Sequence, residues 1–512
     1  MSPVAAAAGA AVRSRRGDRL RALDAAFLYL EGPDTPMHLG TLGLYDGAGW
    51  RDERGRLDLS GVRRHVRSRL AVIPRLRQRP VWPRGRSGRP WWADDAAFDL
   101  DRHVRAVRVR RPGSERQLLS LVESLHMELL DRDHPLWELW FVDGLPGGVV
   151  AVVEKLHHAL VDGIGGVDLA MMLLDPVRTA PPSPGEPPAA VDGAASLTGA
   201  VHRRPALLDP VAAALSSPAD RVATALALVG GVARAAAEGT AATGRAAAAA
   251  TAHPLRTAAT AGRLAIAAGS VARDLVAPRS PINGTVGTRR FYRIVRWSLD
   301  DARAAAHGLG GTVNDVALAA VTAGLRDLLR ERGDDLGGAD LHALVPVSVR
   351  AGDEHRDLGN RVAAMIVPLP VGLPDAEPRF ATVHRAVRSA RADHQPELSL
   401  ALLELPEHWP EPVLAAATGL VHHQPLVNVV VTNVPGPPVP LYLAGAELLE
   451  VFPIVPLARN LDVSLGVLSY GSHLTVGIWA DRDRLPDVEV LVEGIGRGFA
   501  ELSRAGAPSA SA

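Results

Sequence analysis

The sequence predicts a mixed α/β (α+β) fold of two related lobes, and three observations predict it. Strand-like runs and helix-periodic stretches occur together in both halves of the chain. A Pro- and Ala-rich stretch poor in large apolar side chains separates the halves. Finally, 512 residues with 47% hydrophobic content suffice for two or three domains rather than one.

Taken in order, residues 1–17 are expected to be a disordered basic leader, with a globular pattern starting near Leu20. LDAAFLYLE is helix-like and TLGLYD alternates as a strand does. DLSGVRRHVRSRLAVIPRLRQR spaces its apolar residues for an Arg-rich helix, with Asp58 and Ser60 as caps. Residues 115–130 predict a second amphipathic helix, closed by DRDHPLW. GVVAVVEKL (148–156) is a continuous Val-rich run, as in a buried strand. A helix beginning near Asp162 and running through DLAMMLLD is expected to follow. VRTAPPSPGEPPAAVDG then reads as a linker, and residues 205–276 as Ala-dominated helix unable to form a tight core of its own.

Order is expected to return at PINGTVGTRRF (281–291), with the strand RFYRIVRWSL and the helix NDVALAAVTAGLRDLLRER. LHALVPVSVR, AAMIVPLPV, NVVVTNVP, DVSLGVLSY and LTVGIWAD complete the expected strands. The expected domains are the leader (1–17), an N-terminal lobe (18–176), a linker with helices (177–280), a C-terminal lobe (281–503) and a disordered tail (504–512).

Composition narrows the function. Lys and Arg number 56, against 56 Asp and Glu, so the whole chain carries no field that would attract nucleic acid, and no nucleic-acid partner is expected. Zero cysteines exclude disulfides, thiolate nucleophiles and Cys-ligated zinc or iron–sulfur centres. A reducing cytoplasm fits a chain without disulfides. The small-residue run of the leader precedes its basic cluster, the reverse of a secretory signal, and no run of about 18 apolar residues occurs.

The chemistry centres on EKLHHALVDG (154–163). A turn after the buried strand can project one of the adjacent histidines, His157 and His158, into a cleft while its neighbour points aside. An imidazole pKa of about 6.5 suits removal of a proton from an alcohol. Asp162 can pair with an arginine or cap the next helix, and Gly163 permits close backbone approach. Adjacent histidines are more often surface or satisfied core residues than catalytic ones, so spacing alone leaves both readings of His158 open. Metal binding is not expected, since neither HExxH nor a nearby carboxylate–histidine set is present. The pair His422–His423 lacks the following Asp-Gly and reads as structural.

HHALVDG matches the HHxxxDG signature of the chloramphenicol-acetyltransferase and condensation-domain superfamily. The remaining matches run in order along the chain: LDAAFLYLEGPDTPMHLG (23–40), HPLWELWFVDGL (134–145), PINGTVGTRRF, TVNDVALAAVTAGLR (312–326), VPVSVR, LGNRVAAMIVPLP, TNVPGPPVPLYLAGA (432–446) and ADRDRLPD. In this ordered set the chain resembles the bacterial wax ester synthase/diacylglycerol acyltransferase family. ARNLD (458–462) departs from the Gly-rich segment the family has there, which bears on acyl or acceptor selectivity.

The resemblance implies two chloramphenicol-acetyltransferase-like lobes with an active-site channel between them. It also implies roles, residue by residue. His158 is the general base for direct attack of an acceptor hydroxyl on the acyl-CoA thioester, and His157 supports it. Asp162 and Gly163 shape the turn. Pro135, Leu136 and Trp137 line the acyl cleft, though Trp137 reads equally as a core residue. Asn314 and Asp315 brace the lobe interface, with Asn314 either polarising the thioester carbonyl or capping a helix.

No cofactor is expected beyond acyl-CoA as co-substrate. The implied acceptor is diacylglycerol, favoured because the Ala-, Arg- and Gly-rich composition is that of a high-GC bacterium storing triacylglycerol. A long-chain alcohol is the alternative within the family. An inactive lipid-surface protein and a carrier-dependent condensation enzyme are the rivals outside it. Peripheral attachment to the inner membrane face and lipid droplets is expected through Arg13, Arg15, Arg16, Arg19 and Arg21 and the Ala-rich segment.

Overall fold

The computed structural model describes residues 16–71, 73–83, 89–160, 172–178, 277–334, 336–337, 340–348, 362–393, 395, 399, 414 and 426–507. The expectations for residues 1–15, for the helix after Asp162, for most of the linker and for His422–His423 fall outside them.

The N-terminal half begins with a short strand β1 (Arg16–Arg19) and helix α1 (Ala22–Leu30). Strand β2 (His38–Asp46) follows, then α2 (Ser60–Arg69), β3 (Gln78–Val81) and β4 (Trp91–Asp94). Asp58 does act at the start of α2, accepting from the Ser60 N–H at 2.9 Å. Next come α3 (Leu100–His103), β5 (Val104–Arg108) and α4 (Glu115–Met127). Ser114 and Gln117 form a reciprocal capping box at the start of α4, as such pairs do ahead of an apolar run. Strands β6 (Trp137–Asp143) and β7 (Val149–His157) end this half.

The C-terminal half supplies β8 (Arg290–Ser298), α5 (Leu299–Gly308), α6 (Val313–Glu331), β9 (Leu341–Ser348), β10 (Val362–Leu369) and α7 (Ala376–Ala392). It continues with β11 (Val429–Pro435), β12 (Tyr442–Leu443), β13 (Ala446–Ile454), β14 (Val463–Tyr470), β15 (His473–Asp481) and α8 (Val488–Ala505).

Two six-stranded sheets carry these elements, in the orders β12-β13-β2-β7-β6-β5 and β10-β9-β11-β14-β15-β8. A small sheet, β1-β4-β3, flanks the first. The sequence limits of the two lobes do not coincide with the sheets, because β12 and β13 leave the C-terminal half and complete the N-terminal sheet. From Leu448↔Tyr45 to Ile454↔Gly40, β13 pairs antiparallel with β2. A register shift between Leu448 and Glu450 breaks the two-residue alternation there. That break, together with Pro453, hides the strand from a pattern-based reading.

Packing explains the rest. Helices α5 to α8 cover the second sheet, and the buried residues of α6 run from Asp315 to Leu329. Helix α8 lies against α6 closely enough that a Cβ on Gly494 would meet Gly324 Cα at 2.7 Å. Only glycine allows that backbone approach. A separate apolar cluster joins the two halves, combining Leu118, Val122, Trp140 and Val153 with Tyr292, Ile454 and Trp479. Beside it Arg290 pairs with Asp481 within the second sheet, 3.1 Å apart with side chains 1% and 0% exposed. Arg290 also donates to the Asp34 carbonyl, and Arg459 of the ARNLD stretch pairs with Asp34 at 3.1 Å. The halves therefore pack together through a shared apolar cluster.

Candidate active site

Strand β7 is Val-rich and buried almost throughout, and β2 pairs along it from Asp46↔Val149 to His38↔His157. Alternation sends Val153, Lys155 and His157 to one face and Val152, Glu154 and Leu156 to the other. The chain then turns. The His158 N–H donates to the Met37 carbonyl at 2.7 Å, and the Leu160 N–H to the His157 carbonyl at 2.9 Å. His158 emerges half-buried, its ring stacked on Phe27 of α1 at 3.8 Å between centroids and 14° between planes. Phe27 packs on the core that includes Tyr45, Val152 and Leu156, so His158 serves that face of the sheet.

His157 is closed off completely. Its Nδ1 accepts from the Ala159 N–H at 2.9 Å, and since an amide only donates, the imidazole proton of neutral His157 sits on Nε2. Nε2 lies 3.3 Å from Glu31 Oε1, with side chains 0% and 1% exposed. His38 Nδ1 donates to the His126 carbonyl at 2.9 Å, and its Nε2 stands 3.2 Å from the same Glu31 oxygen. Both contacts are off line, so they act as close polar contacts rather than well-directed hydrogen bonds. Arg132 donates to Glu31 Oε2 at 2.9 Å and to the Leu28 carbonyl at 2.8 Å.

Burial pushes the Glu31 carboxyl up, but His157 and His38 outweigh it and hold the pKa well below the usual carboxylate range. Burial holds His38 below the ordinary histidine value, against the pull of Glu31. The consequence is a charged carboxylate behind the histidine pair that fixes the ring of His157 and, through the turn, the place of His158.

The other expected residues separate. Leu136 is 0% exposed, and its carbonyl accepts from the His157 N–H at 3.0 Å. Trp137 is 1% exposed, donates from Nε1 to the Leu76 carbonyl at 2.8 Å and stacks on His103 at 4.4 Å. Pro135 is buried beside them, so this stretch braces the β7 terminus from within the core. Thr312, not Asn314, is the N-cap of α6, in a capping box with Asp315. Asn314 instead accepts from Asn433 Nδ2 of β11 at 3.0 Å, and Asp315 also pairs with His384 at 2.8 Å. Asp162 and Gly163 lie outside the described residues. No group of three or more His, Asp or Glu side chains among the described residues is placed to hold a metal ion.

An apolar cavity of about 70 Å³ opens on the same sheet face as His158. Leu139, Val152, Leu173, Leu443, Leu448 and Val451 form most of its wall, and Gly436–Pro437, just past β11, close it. Among the described residues Glu154 is the only carboxyl in the lining, and it is 6% exposed, with Thr41 Oγ1 donating to its Oε2 at 3.1 Å. Burial pushes its pKa up to about 7, against the pull of Thr41. A carboxyl raised on folding binds its proton more tightly in the folded state. Stability is therefore expected to fall as pH rises from the free value of 4.5 to about 7, by about 3 kcal/mol. Unfolding midpoints in denaturant measured across that window check this, and Glu154→Gln should flatten the decline.

The family model for the wax ester synthase/diacylglycerol acyltransferase catalytic domain matches residues 20–317, and that for the WS/DGAT C-terminal domain matches 358–503. The chain belongs to the wax ester synthase/diacylglycerol acyltransferase family. It is 32% identical, over 489 residues, to a probable diacylglycerol O-acyltransferase of Mycobacterium tuberculosis (strain ATCC 25618 / H37Rv), covering 95% of this chain and 96% of that one. The wax ester synthase/diacylglycerol acyltransferase of Marinobacter aquaeolei VT8 superposes with a TM-score of 0.63 at 25% identity, over 96% of this chain and 100% of that one. The first condensation domain of the calcium-dependent antibiotic synthetase shares the fold, with a TM-score of 0.56 at 16% identity and 97% and 98% coverage. The protein is thus a two-lobed acyltransferase.

Sequence reading of this acyltransferase missed Glu31, His38, Arg132 and the Glu154 cavity. Glu31 and His38 both lie within LDAAFLYLEGPDTPMHLG, where a single carboxylate ends an apolar helix and a histidine opens the next strand. Glu31→Gln keeps the size and removes the charge. Losing charge-assisted contacts to Arg132 and the histidines should cost about 1.5–3 kcal/mol and lower turnover as well. Thermal unfolding and initial rates, measured on one preparation, check both.

Proposed function

We propose that the protein transfers an acyl group from acyl-CoA to the free hydroxyl of diacylglycerol, with His158 as general base. The observation that carries this is the place of His158, half-buried just past the end of β7 and stacked on Phe27, on the face that holds the apolar cavity. His158 takes the hydroxyl proton, the oxygen attacks the thioester carbonyl, the C–O bond forms as the C–S bond breaks, and the CoA thiolate leaves with the proton. Orienting two bound substrates this way supplies several kcal/mol of the barrier. The name of the Mycobacterium tuberculosis relative supports diacylglycerol as acceptor. That of the Marinobacter aquaeolei protein favours a second reading in which a long-chain alcohol is also esterified. Incubation with labelled palmitoyl-CoA and either diolein or hexadecanol, with products separated by chromatography, tests the assignment. Failure to release CoA with both acceptors would refute it.

Transfer is expected to be direct, since the sequence holds no cysteine and the base stands where an alcohol must bind. Intact-mass spectrometry after incubation with acyl-CoA alone should show unmodified protein. An acylated species that passes its acyl group to diolein at a competent rate would overturn this.

No helix among the described residues is long and apolar enough to cross a membrane. Diacylglycerol is nearly insoluble in water, so it must be collected at a lipid surface. The basic leader and the Ala-rich segment are proposed to supply that contact electrostatically, at about 1 kcal/mol per Arg near an anionic surface. Flotation with anionic liposomes should weaken in high salt, and more so without residues 1–17 and 205–276. Equal, salt-insensitive flotation of both forms would contradict it.

A further inference from the structure

The apolar cavity holds one group for which an alkyl chain has no use. Burying a carboxyl among leucines and valines is costly unless its polar atoms find partners. Glu154 has Thr41 as its hydrogen-bond partner among the described residues, and through Oε2 alone. Tyr45 lines the same cavity, and its phenol is held up by burial and by the charge of Glu154. Tyr470 also lines it, but its hydroxyl is occupied by the Leu441 N–H and the Leu448 carbonyl, both at 2.9 Å. Thr41, Tyr45 and Glu154 thus converge on a mostly apolar wall whose other polar side chain, Tyr470, is already occupied.

Position gives this convergence a meaning. Glu154 lies in β7 and His158 is the first residue past its end, four positions on and on the same side, so at about 3.3 Å per residue their Cα atoms are at most about 13 Å apart. Each side chain can shorten the gap. A long-chain alcohol whose hydroxyl lies at His158 has no second oxygen to offer the cavity. A diacylglycerol carries two ester carbonyls within a few bonds of its hydroxyl.

We propose that Thr41, Tyr45 and Glu154 form an ester-recognising subsite, in which the Glu154 carboxyl donates a hydrogen bond to a carbonyl of the glycerolipid acceptor held at His158. This rests on the acceptor assignment of the preceding section, and it makes Glu154 the residue that favours a glycerolipid over a simple alcohol. A site built around a hydrogen bond discriminates against an analogue that cannot make it, because its own polar group is left unpaired. With its pKa pushed up to about 7, Glu154 keeps a proton to donate at and below neutrality. Tyr45 from β2 and Tyr470 from β14 are the other titratable groups in the lining, and neither titrates near neutral pH.

The test measures kcat/KM for diolein and for hexadecanol, with palmitoyl-CoA, on either side of about pH 7. It uses the full chain as wild type, Glu154→Gln and Glu154→Leu. Taking the ratio of the two acceptors cancels the titration of the base, which both share. Glu154→Leu should lower the diolein-to-hexadecanol ratio about 10-fold, the equivalent of one lost hydrogen bond. Glu154→Gln still donates and should keep the wild-type ratio to within about 3-fold. As pH rises through about 7, the wild-type ratio should fall and the Glu154→Gln ratio should stay level. Should the Leu variant fail to fold, that difference in pH profile decides alone. Equal losses on both acceptors, or matching pH profiles of the ratio in wild type and Glu154→Gln, would overturn the subsite while leaving the acceptor assignment intact. A wild type that esterifies hexadecanol and ignores diolein would instead refute the acceptor assignment, and the subsite with it.

Discussion

His158→Ala is expected to lower turnover by about 10²–10⁴-fold, the amount a positioned general base contributes. His158 has the geometry for this role: it leaves the end of β7, is held by its N–H to the Met37 carbonyl, and keeps a half-buried ring against Phe27. The loss should fall on kcat with both diolein and hexadecanol, because each must surrender its hydroxyl proton. His157→Ala should cost less in catalysis and more in stability, since His157 is 0% exposed and touches Glu31 rather than the open side of the site. Initial rates and thermal unfolding of the two variants, measured side by side, separate these effects. A well-folded His158→Ala protein with near-normal rates would eliminate His158 as the base.

The second large effect is structural. Asp481→Ala should destabilise the protein by about 3–5 kcal/mol, because it leaves the buried guanidinium of Arg290 without its carboxylate partner. The same carboxylate accepts from the Gly287 N–H at 2.6 Å and from the Asp483 and Arg484 N–H groups at 2.9 Å, so the change also frees the start of β8. Arg290 reaches onward to the Asp34 carbonyl, in the loop between Glu31 and His38, and strain there should reach the histidine pair. Chemical denaturation read by circular dichroism measures the stability loss. Asp481→Asn should recover part of it, since the amide oxygen can still accept from the backbone. Unchanged unfolding midpoints in Asp481→Ala would show that this buried pair does not support the fold.

Local signals carried much of the site. The Val-rich run ending in HHALVDG placed both histidines at a strand terminus, and that is where β7 ends. The ND pair was correctly set at the start of a helix, but which residue caps it was not legible. Thr312 takes the cap, and Asn314 is drawn across to Asn433, more than 100 positions away in the chain. For PLW the resemblance implied the acyl cleft, with the core an equal alternative for Trp137 alone. Tertiary packing buried Trp137 between Leu76 and His103.

By itself the sequence determined the class of fold, the family, the strand that ends in two histidines and the exclusion of thiol chemistry. The family rests on the ordered set of motifs along the chain, and the others on residue type or on a period of two or 3.6 residues, which is local information. Only the tertiary structure decided that Glu31 stands behind His157, that β13 crosses into the other sheet, and that Glu154 faces a cavity on the strand that ends at the histidine pair. Glu31 and Arg132 are 101 positions apart, and Thr41 and Glu154 are 113 apart. Contacts of that range are set by strand register and by which faces the helices cover. A slip of one residue between β2 and β7 would turn Glu154 away from the cavity, and nothing in either strand read alone shows where that register falls.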